Sequence, residues 1–204
     1  MSKTISNFFS YLFHPILMPL YGTIYILNAG IFNTSALGQV QKMIYMVVVL
    51  FTILLPILFL MSIYSLKLIT NIKLNERRER FFPLFFSTIS VYLCYRFIGL
   101  SGNLRLIQSF FLAILILMLV SLTLSIFFKI SLHMIGIGGI TGLLFSMFWI
   151  YQINIIYPLM AIIIVAGILG TVRLALMVHK PAELIIGYIS GFGVVAYILL
   201  TTVY

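Results

Sequence analysis

Apolar residues run along this chain in long blocks, and polar residues are confined to the short gaps between them. A helix needs roughly 20 apolar residues to cross the hydrocarbon core of a bilayer, and about seven blocks approach that length. They cover residues 12–29, 43–66, 83–98, 106–128, 132–151, 155–169 and 182–203. The first contains His14, Pro15 and Pro19, so it reads as a broken or partly interfacial span. The third and sixth are short, which fits a tilted helix, a re-entrant one, or one that continues beyond its apolar part. Ser101-Gly102-Asn103 and Gln152-Ile153-Asn154 read as turns. No linker, low-complexity tract or long-period repeat divides the chain. The pattern predicts an all-α, polytopic transmembrane helix bundle of about six to seven spans, one integral-membrane domain over residues 1–204. Gly136, Gly138, Gly139 and Gly142 cluster in the fifth block, and Gly187 and Gly191 form a G-x-x-x-G in the last. Close helix packing is the first explanation for both, and backbone approach to a ligand is the second.

Composition turns the membrane reading from possible to necessary. The chain is 63% hydrophobic and 7% charged, with a mean hydropathy of +1.25. A soluble fold of this composition would expose large apolar area and aggregate. The net charge of +9 would suggest nucleic acid in a soluble domain. Here no polar domain is large enough to bind a duplex, so nucleic acid is excluded. What remains is contact with anionic lipid head groups or a site for an anionic substrate. Trp149 and Tyr151 read as belt residues at one interface. The single cysteine, Cys94, lies among apolar neighbours as a small membrane-buried side chain. No cleavable signal peptide stands out, so the first apolar run is expected to be retained.

The few ionisable groups are grouped. All three acids and two of the three histidines fall in residues 73–83 ("KLNERRERFFP"), 129–136 ("KISLHMIG") and 173–183 ("RLALMVHKPAE"). Ionisable groups near lipid are costly, so each is a functional candidate. An even number of crossings separates these segments, which brings all three to one face of the bilayer. A pocket made from them would carry Lys73, Arg80 and Arg173 for a multiply charged oxyanion, phosphate above all. Two histidines suit a two-step transfer, one as nucleophile and one as proton donor. His179 and Glu183 are four apart and share a face if the last helix starts near His179. Pro181 suits an early helical position, and the helix start would offer N–H groups to an anion. His14 reads as structural or interfacial, and Arg77 and Arg78 as competitors for phosphate or as lipid contacts.

These residues resemble the type 2 phosphatidic acid phosphatases, whose three motifs are K-x6-R-P, P-S-G-H and S-R-x5-H-x3-D. The chain has Lys73-x6-Arg80, then Ile130-Ser131-Leu132-His133, then Val172-Arg173-x5-His179-x3-Glu183. Pro181 and Gly187 fall in register with the third motif, and the resemblance runs from about Lys73 to the C-terminus. It implies that His179 is the nucleophile forming a phosphohistidine, that Glu183 orients it, and that His133 protonates the leaving group. It further implies that Lys73, Arg80, Arg173 and Ser131 bind the phosphoryl oxygens and that neither metal nor cofactor is needed. The implied substrates are lipid phosphates or diphosphates: phosphatidic acid, phosphatidylglycerol phosphate, a polyprenyl phosphate or diphosphate, or a lipid A-type glycolipid. Phe81, Ile130, Leu132, Val172 and Glu183 depart from the motifs. They motivate the alternative of a catalytically altered member serving as a lipid- or anion-binding membrane module or transporter. A haloperoxidase fits poorly, because those relatives are soluble.

Orientation draws opposite expectations. The motif face holds most of the Lys and Arg residues, which the positive-inside rule places in the cytoplasm. Bacterial members of the family that it resembles usually carry a periplasmic site on the inner membrane. The site's own cations bias the charge count, so the outer face is preferred.

Overall fold

The computed structural model describes residues 3–32, 38–69, 77–100, 104–127 and 130–203. The described residues form helices and turns only, and six helical segments are long and apolar enough to cross a membrane. The chain is an all-α integral membrane protein.

The first apolar block is broken as the prolines predict. Helix α1 (Lys3–Leu12) is followed by a 3-10 turn (Pro15–Leu17) and helix α2 (Met18–Asn28). The break falls at His14, whose backbone is extended (φ −66°, ψ 136°). A proline that follows disfavours helical geometry in the residue before it. His14 Nδ1 accepts the Ile16 N–H at 3.3 Å and caps the new turn. Helix α2 reaches the opposite face, where Asn28 donates to the Tyr45 hydroxyl at 3.0 Å.

The second block is a single 28-residue span built from α3 (Gly38–Val49), a π turn (Leu50–Leu54) and α4 (Leu55–Ser65). Pro56 explains the π turn. Proline has no N–H for the carbonyl four residues back, so the ladder widens ahead of it. The Ser90 hydroxyl from the next helix donates to the Phe51 carbonyl, satisfying a backbone acceptor that lipid could not.

The remaining spans are α5 (Arg77–Gly99), α6 (Arg105–Phe127), α7 (Leu132–Tyr151), α8 (Ile156–Ala175) and α9 (Pro181–Thr202). Both blocks that looked short extend beyond their apolar stretches, α5 into its arginines and α8 toward Arg173. Alternate crossing puts the end of α4, the starts of α5, α7 and α9, and the ends of α6 and α8 on one face.

Helix α7 is the centre of the bundle: 67% of its span is buried, against at most 44% in any other. Its most extensive partner is α9. The glycines of the two helices meet backbone to backbone. A methyl group on Gly138 would strike the Tyr188 carbonyl, one on Gly142 the Phe192 carbonyl, and one on Gly191 the Ile135 carbonyl. Close packing is therefore the role of these glycines. Lipid offers no hydrophobic drive between helices, so this proximity supplies dispersion contacts instead. Buried hydroxyls mostly bond back along their own helices, as Thr23 does to Pro19, Thr141 to Ile137 and Ser146 to Gly142.

Candidate functional site

The turn between α8 and α9 builds the first half of the site. Helix α8 ends with Met177 in the left-handed region (φ 51°), and the Val178 N–H closes back on the Arg173 carbonyl at 3.4 Å. Lys180 is extended because Pro181 follows, and α9 begins at Pro181. Glu183 is then the third residue of the helix. Its Oε2 accepts the Lys180 N–H at 3.2 Å, capping the helix, and also lies 2.8 Å from His179 Nδ1. The helix starts two residues later than the shared-face expectation required. His179 meets Glu183 because the carboxylate folds back as a cap, and not because both project from one helical face. The imidazole is almost fully enclosed, with 4% of its side chain exposed. A carboxylate acceptor at Nδ1 holds the proton there, and the neutral ring then has its basic lone pair on Nε2.

The second half comes from the start of α7, which the glycine contacts hold against α9. The Ser131 N–H donates to the Glu183 carbonyl at 3.5 Å. The Ser131 side chain is fully buried, and among the described residues its Oγ has no hydrogen-bond partner. His133 follows two residues later, in the first turn of α7. Arg173, His14 and His179 all lie near enough to His133 to act on its charge. Ser131, His133, Arg173, His179 and Glu183 thus occupy one face of the bundle, drawn from three helices. Lys73 lies outside the described residues. Arg80 sits in the first turns of α5, which start on this face, and its side chain is outside the described set.

Two residues of this cluster carry no motif. Ser10, near the end of α1, bridges the site: its Oγ accepts from Arg173 Nη1 at 3.0 Å and lies 3.3 Å from His133 Nε2. Its carbonyl oxygen is 3.1 Å from the same Nε2. A carbonyl only accepts, so the His133 proton is on Nε2. His14 packs edge-on against the His133 ring, with centroids 5.4 Å apart at 80°. Its ring packing and its cap on the Ile16 N–H fit the structural half of its reading. Burial, and then the Arg173 guanidinium, hold the His14 imidazole below its ordinary value, which favours its neutral form. The available signal was the pairing of Ser6 and Ser10, one turn apart on a helix whose other residues are largely apolar. Ser6 is buried while Ile5, Phe8 and Tyr11 face outward.

Among the described residues no group of three His, Cys, Asp or Glu side chains is arranged to hold a metal ion. The chemistry on offer is a braced imidazole, a second imidazole with its proton at Nε2, a guanidinium and a buried hydroxyl. Comparison with protein-family models, curated proteins and solved structures gives no match.

Proposed function

We propose that this protein is a membrane phosphatase that hydrolyses a lipid phosphate or diphosphate through a phosphohistidine, in the manner of the type 2 phosphatidic acid phosphatases that its motifs resemble. The observation that carries the reading is the 2.8 Å contact between His179 Nδ1 and Glu183, enclosed in the same cluster as Arg173 and His133. That pair gives a nucleophile of fixed tautomer beside a cation suited to a phosphoryl group.

The first step is in-line attack by His179 Nε2 on phosphorus. A P–N bond forms and the bond from phosphorus to the leaving oxygen breaks. His133, carrying a proton on both ring nitrogens once the anionic phosphate is bound beside it, gives the Nε2 proton to that oxygen and becomes the neutral imidazole. Arg173, with Lys73 and Arg80, binds the equatorial oxygens, where charge accumulates. Ser131 Oγ, buried and without a partner among the described residues, donates to the same group. In the second step His133, now neutral at Nε2, takes a proton from water. The hydroxide formed attacks phosphorus and releases His179 and inorganic phosphate. Glu183 stabilises the imidazolium-like ring throughout. A lipid substrate fits because its tail lies among the helices while its head group enters the polar cluster. The preferred placement is the bacterial inner membrane with this face toward the periplasm.

The test is phosphate release by purified protein in detergent across phosphatidic acid, phosphatidylglycerol phosphate, polyprenyl phosphates and diphosphates, and lipid A-type phosphates. His179→Ala is expected to abolish turnover and the acid-labile phosphoenzyme trapped from labelled substrate. A folded His179→Ala protein of undiminished activity removes the mechanism.

A further inference from the structure

Ser10 occupies the site as a substrate would. Its hydroxyl and carbonyl present two oxygen acceptors from one residue, to Arg173 Nη1 and to His133 Nε2. In the proposed reaction these same two donors serve a non-bridging phosphoryl oxygen and the leaving oxygen. Both donors are part-buried, and Ser10 supplies each of them with an acceptor while no ligand is bound. A phosphate competes well for both donors, because hydrogen bonds to an oxyanion are roughly twice as strong as those to neutral oxygen.

Helix α1 is built to let Ser10 go. Its inner face carries Ser6 and Ser10 and packs on α8. Its outer face exposes Ile5, Phe8, Tyr11 and Leu12. Such a helix lies in the interfacial plane of a bilayer, so its apolar face keeps it on the membrane when its polar face is released. Its C-terminal end is pinned to α2 by the Tyr21 hydroxyl, which donates to the Leu12 carbonyl at 2.9 Å. The extended His14 beyond it breaks the helical ladder. Motion about that end moves Ser6 farther than Ser10.

We infer that α1 is a strap over the site, and that a phosphate head group enters by displacing Ser10 from Arg173 and His133. This rests on the phosphatase reading of the same cluster and adds how substrate gains access to it.

Orthovanadate and inorganic phosphate are the probes, applied to the full chain in detergent. Ser10→Ala removes the hydroxyl competitor, so orthovanadate binding measured calorimetrically is expected to tighten, by roughly three- to tenfold. In a second variant, Ser6→Cys, the reporter thiol starts buried, and Cys94 is itself buried and silent. Maleimide labelling of that thiol is expected to accelerate several-fold when orthovanadate or phosphate is added. Orthovanadate that binds while Ser10→Ala weakens it, or while labelling stays level or slows, overturns the strap and leaves the phosphatase reading standing. No binding of either anion overturns both. The labelling experiment does not depend on Ser10→Ala, so poor folding of that variant does not shield the idea.

Discussion

Glu183 has two functions on one oxygen, since the atom that caps α9 also braces His179. Glu183→Gln separates them. Glutamine oxygen still accepts the Lys180 N–H, so thermal unfolding in detergent is expected to shift by only about 1 kcal/mol or less. It no longer stabilises the charged imidazole, so kcat is expected to fall on the order of 10³-fold. Equal losses in both measurements would mean that the carboxylate is purely structural. His14 supplies a second prediction. Its folded value lies below the ordinary 6.5, through burial first and Arg173 second. The unfolded chain therefore binds this proton more readily than the folded one. The stability it contributes is complete above pH 6.5 and is lost as pH falls below that toward the lowered folded value. His14→Asn keeps an acceptor for the Ile16 N–H and removes the titration. Melting temperatures of the variant, followed from about pH 7.5 to about pH 5, should fall less steeply than those of the parent. Parallel curves would exclude His14 as a contributor.

At the scale of elements, α7 and α9 show what the sequence displays plainly and what it conceals. The glycine clusters are visible as small residues at helical spacing, and their packing role follows from lipid as solvent. A methyl on Gly191 meets the Ile135 carbonyl and Gly139 nitrogen, whereas one on Gly193 meets open space. Gly191→Ala is expected to cost about 1–3 kcal/mol and to lower activity, because it pushes the helix that carries His133 away from the helix whose Glu183 braces His179. Gly193→Ala should be neutral or stabilising by up to about 1 kcal/mol. Unfolding of the two variants side by side checks this, and equal destabilisation would contradict the backbone contact. The break at His14-Pro15 is equally legible, because proline acts locally. Ser10 is not. Its partners His133 and Arg173 are 123 and 163 residues away, and the one local hint is Ser6 a turn earlier, which says nothing of those partners. The Glu183 cap is legible only in part: the four-residue spacing from His179 gives the pair, while Pro181 moves the helix start and changes how the pair is made.

For the whole molecule, the alternation of spans follows from block length alone, and it gathers the polar segments on one side before any side chain is placed. That gathering is what makes the site readable, since parity survives errors of a few residues in every boundary. The same alternation predicts that cysteines at Lys67 and Lys180 react with an impermeant thiol reagent from one side of sealed vesicles, and a cysteine at Asn154 from the other. The proposed orientation makes the first two reactive from outside. Mixed labelling of Lys67→Cys and Lys180→Cys would break the bundle's topology and the site with it. The glycine contact between α7 and α9 also governs how the protein meets its surroundings. At Gly138, Gly142 and Gly191 main chain rests on main chain, with no rotamer between them to change. A bilayer that thins or thickens must tilt the two helices as one body. On the proposed function, the spacing between the two imidazoles is thereby expected to be insulated from the mechanical state of the lipids that would be its substrates.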